Sequence, residues 1–268
     1  MNHLRRELAP ITEAGWRAID QEATARLTTY LAARKLVDFV GPHGWSHSAT
    51  DLGRTSIISG PSEGVAAAQR LVLPLVELRT EFKVALREMD DAERGANDID
   101  LAELEKAVHR IALGENVTVF HGHGASGTMG ITESASHEPI VLGADVESYP
   151  NSVARATDVL RQAGIGGPYG LALCPDIYTR IVETAEHGGH LLLDHLQRLL
   201  GGPLVWAPGV EAGIVLSLRG GDFTFDCGQD LSIGYLGHDA DFIRLYLEES
   251  FSFRVLEPDA AVALQAAS

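Results

Sequence analysis

The chain has 268 residues, 45% of them hydrophobic and 22% charged, which is enough for one large domain or two subdomains with a real core. A formal net charge of -16 argues against nucleic acid as the main partner, because phosphate binding needs clustered Lys and Arg. No apolar run approaches the roughly 20 residues that span a bilayer, and Met1-Asn2-His3-Leu4-Arg5-Arg6-Glu7 lacks the apolar core of a signal peptide. Neither membrane nor export is therefore expected, and Cys174 and Cys227, both in apolar contexts, read as free thiols of a reducing cytoplasm.

In chain order, Thr12 is a candidate N-cap for a helix whose apolar residues Trp16, Ile19, Ala23, Leu27, Tyr30 and Leu31 recur at helical spacing to about Ala33. Arg34 and Lys35 close it with positive charge, and Leu36 to Val40 read as a short strand before the turn Gly41-Pro42-His43-Gly44. From 51 to 87 the chain looks extended. Ile57 and Ile58 precede a turn at Gly60-Pro61, and Leu78, Phe82, Val84 and Leu86 then alternate with charged residues. Two strands joined far out make an arm, and a lone hairpin is marginal in water, so this arm calls for a neighbour to cover its apolar face.

Asp100, with Glu103 at the capping-box position, opens a helix to about Phe120 striped by Leu101, Leu104, Val108 and Ile111. Gly114 is its weak point, by about 1 kcal/mol relative to Ala. Residues 125–219 read as mixed α/β: a helix capped by Asn151, a strand at 171–174, a helix opened by Pro175, a helix over 191–200 and strands at 204–206 and 214–218. Near the C-terminus the parity of Ile243, Leu245, Leu247, Phe251, Phe253 and Val255 predicts a long strand with one buried face, broken at Glu249. It pairs antiparallel with the alternating runs 223–227 and 231–235, which Gly228-Gln229-Asp230 interrupts. The end, 260–268, is an Ala-rich tail.

Chemistry-bearing motifs are thin. Glu183, His187, His190, Asp194 and His195 cluster in sequence, yet Gly188-Gly189 breaks the helix that an HExxH zinc site requires. His121-Gly122-His123-Gly124 offers too few ligands for a metal and reads as a glycine-rich connection. His238, Asp239 and Asp241 read as a solvated turn, and Ser126 lies outside a nucleophile elbow. No catalytic residues, metal or cofactor are expected.

Six stretches carry a resemblance to the encapsulins, the linocin-type shell proteins of bacterial nanocompartments. They are LAPITEAGWRAIDQEA at 8–23, ARKLVDFVGPHGW at 33–45, MDDAERG at 89–95, GPYGLAL at 167–173, RGGDFTFDCGQDLSIGY at 219–235 and RLYLEESFSF at 244–253. The resemblance implies an α+β fold of the HK97 phage-capsid type. It divides the chain into an N-terminal helix and strand (1–45), an E-loop (46–88), the spine helix of the P-domain (89–124), an A-domain (125–218) and C-terminal P-domain strands (219–268). It implies self-assembly into a closed icosahedral shell, the smallest having about 60 identical chains. The shell encloses a cargo enzyme, a dye-decolorizing peroxidase or a ferritin-like iron protein, in the cytoplasm.

Cargo of this family docks through a C-terminal targeting peptide. The matching motifs put Arg34, Leu36 and Asp38 on one side of its groove and Leu231 and Ile233 on the other, although Leu36 and Ile233 also read as plain core. The loop Glu186, His187, Gly188, Gly189 and His190 is the candidate pore ring at the five-fold axis. The flavin that some members hold by an aromatic residue at the E-loop base is not expected, because Arg87 stands nearest that position. The competing readings are a phage major capsid protein and, from another class, a soluble metallohydrolase using the His187 and His190 loop.

Overall fold

The computed structural model describes residues 3–184 and 191–266. Helix α1 (Glu13–Tyr30) starts where Thr12 Oγ1 accepts the Gly15 amide at 3.3 Å, as the N-cap reading expects. It ends at Tyr30 rather than near Ala33, and a separate helical turn, Ala33–Lys35, carries Arg34. Strand β1 (Asp38–Val40) follows. Gly41 then bends at φ +109, with its Cα so close to the Cys227 carbonyl that a Cβ would lie 2.4 Å from the oxygen.

Strands β2 (Ala49–Ile58) and β3 (Ala67–Pro74) form the projecting hairpin. The extended run therefore contains three strands, not two. The alternation at Leu78, Phe82 and Val84 belongs to β4 (Val76–Ala85), which leaves the hairpin and enters the body. The reason is local: Pro74 ends β3, and the apolar face of β4 finds cover inside the same chain, with Phe82 and Val84 buried against the helices. The hairpin has no such cover. Ile57 is 93% exposed, and Ile58, Val65, Leu71 and Val72 are also open.

Helix α2 (Leu86–Glu93) leads to α3 (Ala102–His121), which runs unbroken through Gly114. The expected capping box does not form. Asp100 Oδ1 accepts the Ala102 amide at 3.0 Å, but Glu103 turns to Lys106 at 2.7 Å, and Glu88 of α2 takes the Asp100 amide at 2.9 Å instead. Beyond it come α4 (Ile131–Ser134), β5 (Ile140–Val141), α5 (Tyr149–Gln162), β6 (Tyr169–Leu173), α6 (Pro175–Glu183) and α7 (Leu192–Leu200). Helix α5 begins two residues before Asn151, with Pro150 in its first turn. Strands β7 (Leu204–Trp206), β8 (Gly213–Ser217), β9 (Phe223–Cys227), β10 (Ser232–His238), β11 (Phe242–Val255) and β12 (Ala261–Gln265) complete the chain.

Two five-stranded sheets result. In the first, β11 is the spine: β4 pairs along one edge from Phe242 to Phe251, while β10 and then β9 pair along the other, and β1 adds parallel to β9. Because α1 and α3 cover one face and other elements the second, residues 245–253 of β11 are buried on both parities. One buried face was expected; the polar residues Glu248, Glu249, Ser250 and Ser252 are instead inside. The second sheet has the order β5-β12-β8-β6-β7. The Ala-rich end is thus no loose tail. Small side chains let β12 lie antiparallel to β8 with Ala261 and Val262 buried, so 219–268 divides between both sheets. Cys174 and Cys227 are free thiols, and burial pushes the Cys227 thiol up to about 12. No helix among the described residues is long and apolar enough to cross a membrane.

Candidate functional site at the edge strand

The end of α1 fixes this region. Asn116, fully buried on α3, accepts the amides of Ala32 and Ala33 at 3.0 and 3.2 Å through Oδ1 and donates through Nδ2 to the carbonyls of Tyr30 and Pro208. Every hydrogen-bonding group of that side chain is matched, so the turn carrying Arg34 is rigidly placed. Arg34 then meets three carboxylates: Glu115 at 2.7 Å, Asp230 at 2.7 Å and Glu249 at 2.8 Å. Glu115 and Glu249 are buried, and Asp230 is half exposed. The guanidinium also lies 5.2 Å from the ring centres of both Phe39 and Phe225.

The charges inside do not balance. Burial pushes both glutamates above the ordinary carboxylate value, Glu249 most, with repulsion from Glu115 adding to it. Burial alone would lower the Arg34 guanidinium, but Glu115, Glu249 and Asp230 together raise it. The Oε1 atoms of Glu115 and Glu249 are sealed from solvent with no donor facing them. A proton held on Glu249 and donated to Glu115 satisfies both and leaves one buried negative charge, on Glu115, beside the half-exposed Asp230 for Arg34 to meet.

Leu36 lies in the core beside Gly170, and Ile233 is buried in the core under α1 and α3. Leu231 is half-buried against that same core, next to the Arg34 partner Asp230. Asp38 is exposed on β1 and accepts the Gly221 amide at 2.6 Å. Arg34, Asp230 and Leu231 therefore share one location, and Asp38 lies along the adjoining edge strand. That edge also shows Phe39 and Val40, 37% and 42% exposed, which sequence reading did not single out. A neighbouring hollow of about 190 Å³ is lined by Lys35, Leu36, Asp38, Leu218 and Phe223 among others.

The pore residues Glu186, His187, Gly188, Gly189 and His190 lie outside the described residues. Glu183 ends α6, while Asp194 and His195 open α7. The Asp239 loop is a turn: Asp239 Oδ1 accepts the amides of Asp241 and Phe242, and these bonds hold its carboxyl below the usual range. Ser126 Oγ bonds within its own turn to His123 and Thr128. One cluster was missed by the sequence reading: His43, His47 and Asp226 gather their donor atoms within 4.8 Å of one another.

The family model described as "encapsulating protein for peroxidase" matches residues 1–252. The type 1 encapsulin shell protein of Rhodospirillum rubrum is 44% identical over 274 residues, covering 100% of this chain and 98% of that protein. Its counterpart in Mycolicibacterium paratuberculosis is 41% identical over 264 residues, 98% of this chain and 99% of that protein. Among solved structures, a virus-like particle from Pyrococcus furiosus matches with a TM-score of 0.63 at 19% identity, over 93% of this chain and 99% of that chain. The capsid of an empty GTA particle matches with a TM-score of 0.58 at 18% identity, over 89% and 90%. At such identities the structural likeness establishes the fold, which is the HK97-like capsid fold. The full-length sequence likeness establishes more: this chain belongs to the linocin-type family of encapsulating proteins, the encapsulins.

Proposed function

We propose that this chain is the shell subunit of an encapsulin nanocompartment, with a structural rather than catalytic role. The observation that carries the reading is the β2–β3 hairpin. It projects Ile57, Ile58, Val65, Leu71 and Val72 into solvent, and a two-stranded hairpin with open apolar side chains is not stable in water by itself. Packing on neighbouring copies supplies the missing cover, as an E-loop does. Repeated burial at about 25 cal/mol per Å² holds a closed shell of about 60 chains without covalent links.

The cargo is a peroxidase or a ferritin-like protein, held by an extended peptide. Its seat is the edge of β1, where Asp38, Phe39 and Val40 are open, with Arg34 and Leu231 at the inner end; Leu36 and Ile233, buried in the two separate cores, support it from beneath and do not touch the peptide. An edge strand suits an extended ligand because its free backbone groups can pair while alternate side chains enter the trough. The particle resides in the cytoplasm.

Negative-stain electron microscopy of the chain expressed alone tests the shell: uniform hollow spheres are expected, and a monomer or small oligomer refutes it. Co-expression with a reporter bearing the C-terminal tail of a neighbouring peroxidase or ferritin-like gene tests the seat. Wild-type particles retain the reporter, and Asp38→Lys particles lose it while still assembling.

A further inference from the structure

We propose a divalent transition-metal site, of the zinc type, formed by His43, His47 and Asp226 at the root of the β2–β3 hairpin. The loop holding the histidines is stitched to the end of β9. His43 donates its amide to the Cys227 carbonyl at 2.9 Å, Gly44 donates to Gly228 at 2.7 Å, and the His47 amide returns to Gly44 at 3.1 Å. Both imidazoles are thereby brought over Asp226 of β9. His43 Nε2 lies 2.9 Å from Asp226 Oδ1, and His47 Nε2 lies 3.8 Å from Oδ2.

The donor set is right for a borderline-soft cation: two imidazole nitrogens and one carboxylate, the composition found with zinc in hydrolytic sites. Tetrahedral ligands at about 2.0–2.2 Å from the ion stand about 3.3 Å apart, so a cluster spanning 4.8 Å closes on an ion by small side-chain rotations. Two further observations point to a ligand. His47 Nε2 and Asp226 Oδ1 are sealed from solvent and make no aligned hydrogen bond, the oxygen having only the His43 Nε2 contact at 2.9 Å, so the three donor atoms crowd one point without satisfying one another. The carboxylate also has outer support: Thr50 Oγ1 donates to Asp226 Oδ2 at 2.5 Å and pairs with Ser252 Oγ at 2.6 Å. Since the Thr50 proton goes to Asp226, Ser252 donates to Thr50, and the chain of hydroxyls fixes which way the carboxylate faces. His43 is 40% exposed, which gives the ion an entry path and room for water in the remaining position.

The ligands come from two parts of the molecule. Asp226 belongs to the body sheet, whereas His43, His47 and Thr50 lead into the projecting hairpin. A bound ion therefore ties the root of the arm to the body. The site needs one chain only, so it stands or falls apart from the shell reading.

The test uses untagged full-length protein stripped with a chelator and titrated with zinc chloride by calorimetry, and with cobalt chloride by its tetrahedral d–d absorption. One ion per chain is expected, with a zinc-dependent rise in melting temperature. His43→Gln and His47→Gln each weaken binding by tenfold or more and abolish the cobalt band, without changing the metal-free melting temperature appreciably. Thr50→Val, which touches no ion, weakens zinc by about ten- to a hundredfold, as loss of an outer-shell partner does. Absence of saturable binding in the folded wild type overturns the site, and so does binding that survives the paired His43→Gln and His47→Gln change.

Discussion

The two halves of β-structure that flank residue 75 obey opposite rules. Strand β4 turns its charged parity, Glu77, Arg79, Glu81 and Lys83, to solvent and buries Phe82 and Val84 against helices of its own chain. The β2–β3 hairpin, a few residues earlier, has its apolar side chains in water. Within one copy β4 finds its apolar cover and the arm does not. The sharpest way to break that contrast is to put a charge on the arm. Ile57→Asp removes no contact within the chain, so circular dichroism and the melt of the dissociated chain stay unchanged. Between chains it forfeits about 1.5–3 kcal/mol of burial per copy and adds the cost of a desolvated carboxylate. Repeated at every subunit of a closed shell this abolishes particles, and mass photometry should show monomers or small oligomers. Intact particles would mean that the arm tip is not an interface.

The converse change strikes the body. Arg34→Met leaves Glu115 and Glu249 buried without their cation, and breaking such a cluster costs about 3–5 kcal/mol. Urea unfolding of the dissociated chain should lose that much, and a loss under 1 kcal/mol would show that the cluster is unimportant to the body. Glu249→Gln is the contrasting case. If Glu249 already carries a proton, an amide replaces it at about 1 kcal/mol or less.

The same pair predicts a pH signature. The carboxyls of Glu115 and Glu249 are both raised in the folded state, so folding takes up protons above the ordinary value of 4.5. Their contribution is whole below that value and is lost as pH rises through the folded pKa. Other groups titrate too, so the difference between wild type and Glu249→Gln isolates it. The wild type should lose stability relative to the variant as pH rises above 4.5, and a flat difference would place no proton on Glu249.

What the sequence disclosed follows from how far apart the interacting residues lie. The long strand was legible from its parity, and Glu249 was conspicuous as the break in it; the partner that explains the break, Arg34, stands 215 residues earlier in the chain. Glu115 and Asn116 interrupt the apolar stripe of α3 and could have been read as a buried polar pair. The extended arm was legible as extended chain, but alternation cannot say which neighbour a strand chooses, and so β4 was assigned to the hairpin. The metal-type cluster was invisible because Asp226 is brought to the histidines only by the β1–β9 pairing.

The smallest effect concerns helix α3, which packs on β4. Gly114 lies in mid-α3 with ordinary helical neighbours on each side, and a Cβ there meets only Leu78 Cδ1, at 3.5 Å, an unstrained contact. Gly114→Ala therefore removes the backbone freedom of glycine in the unfolded chain and introduces no clash. The gain is about 0.5–1 kcal/mol, read as a higher urea midpoint with an unchanged slope. Since Leu78 belongs to β4 and not to the arm, the variant should stabilise the body and leave particle size untouched. A change in assembly would mean that the close approach of α3 to β4 is set by subunit contacts, and the body would then be less self-sufficient than its buried charges suggest.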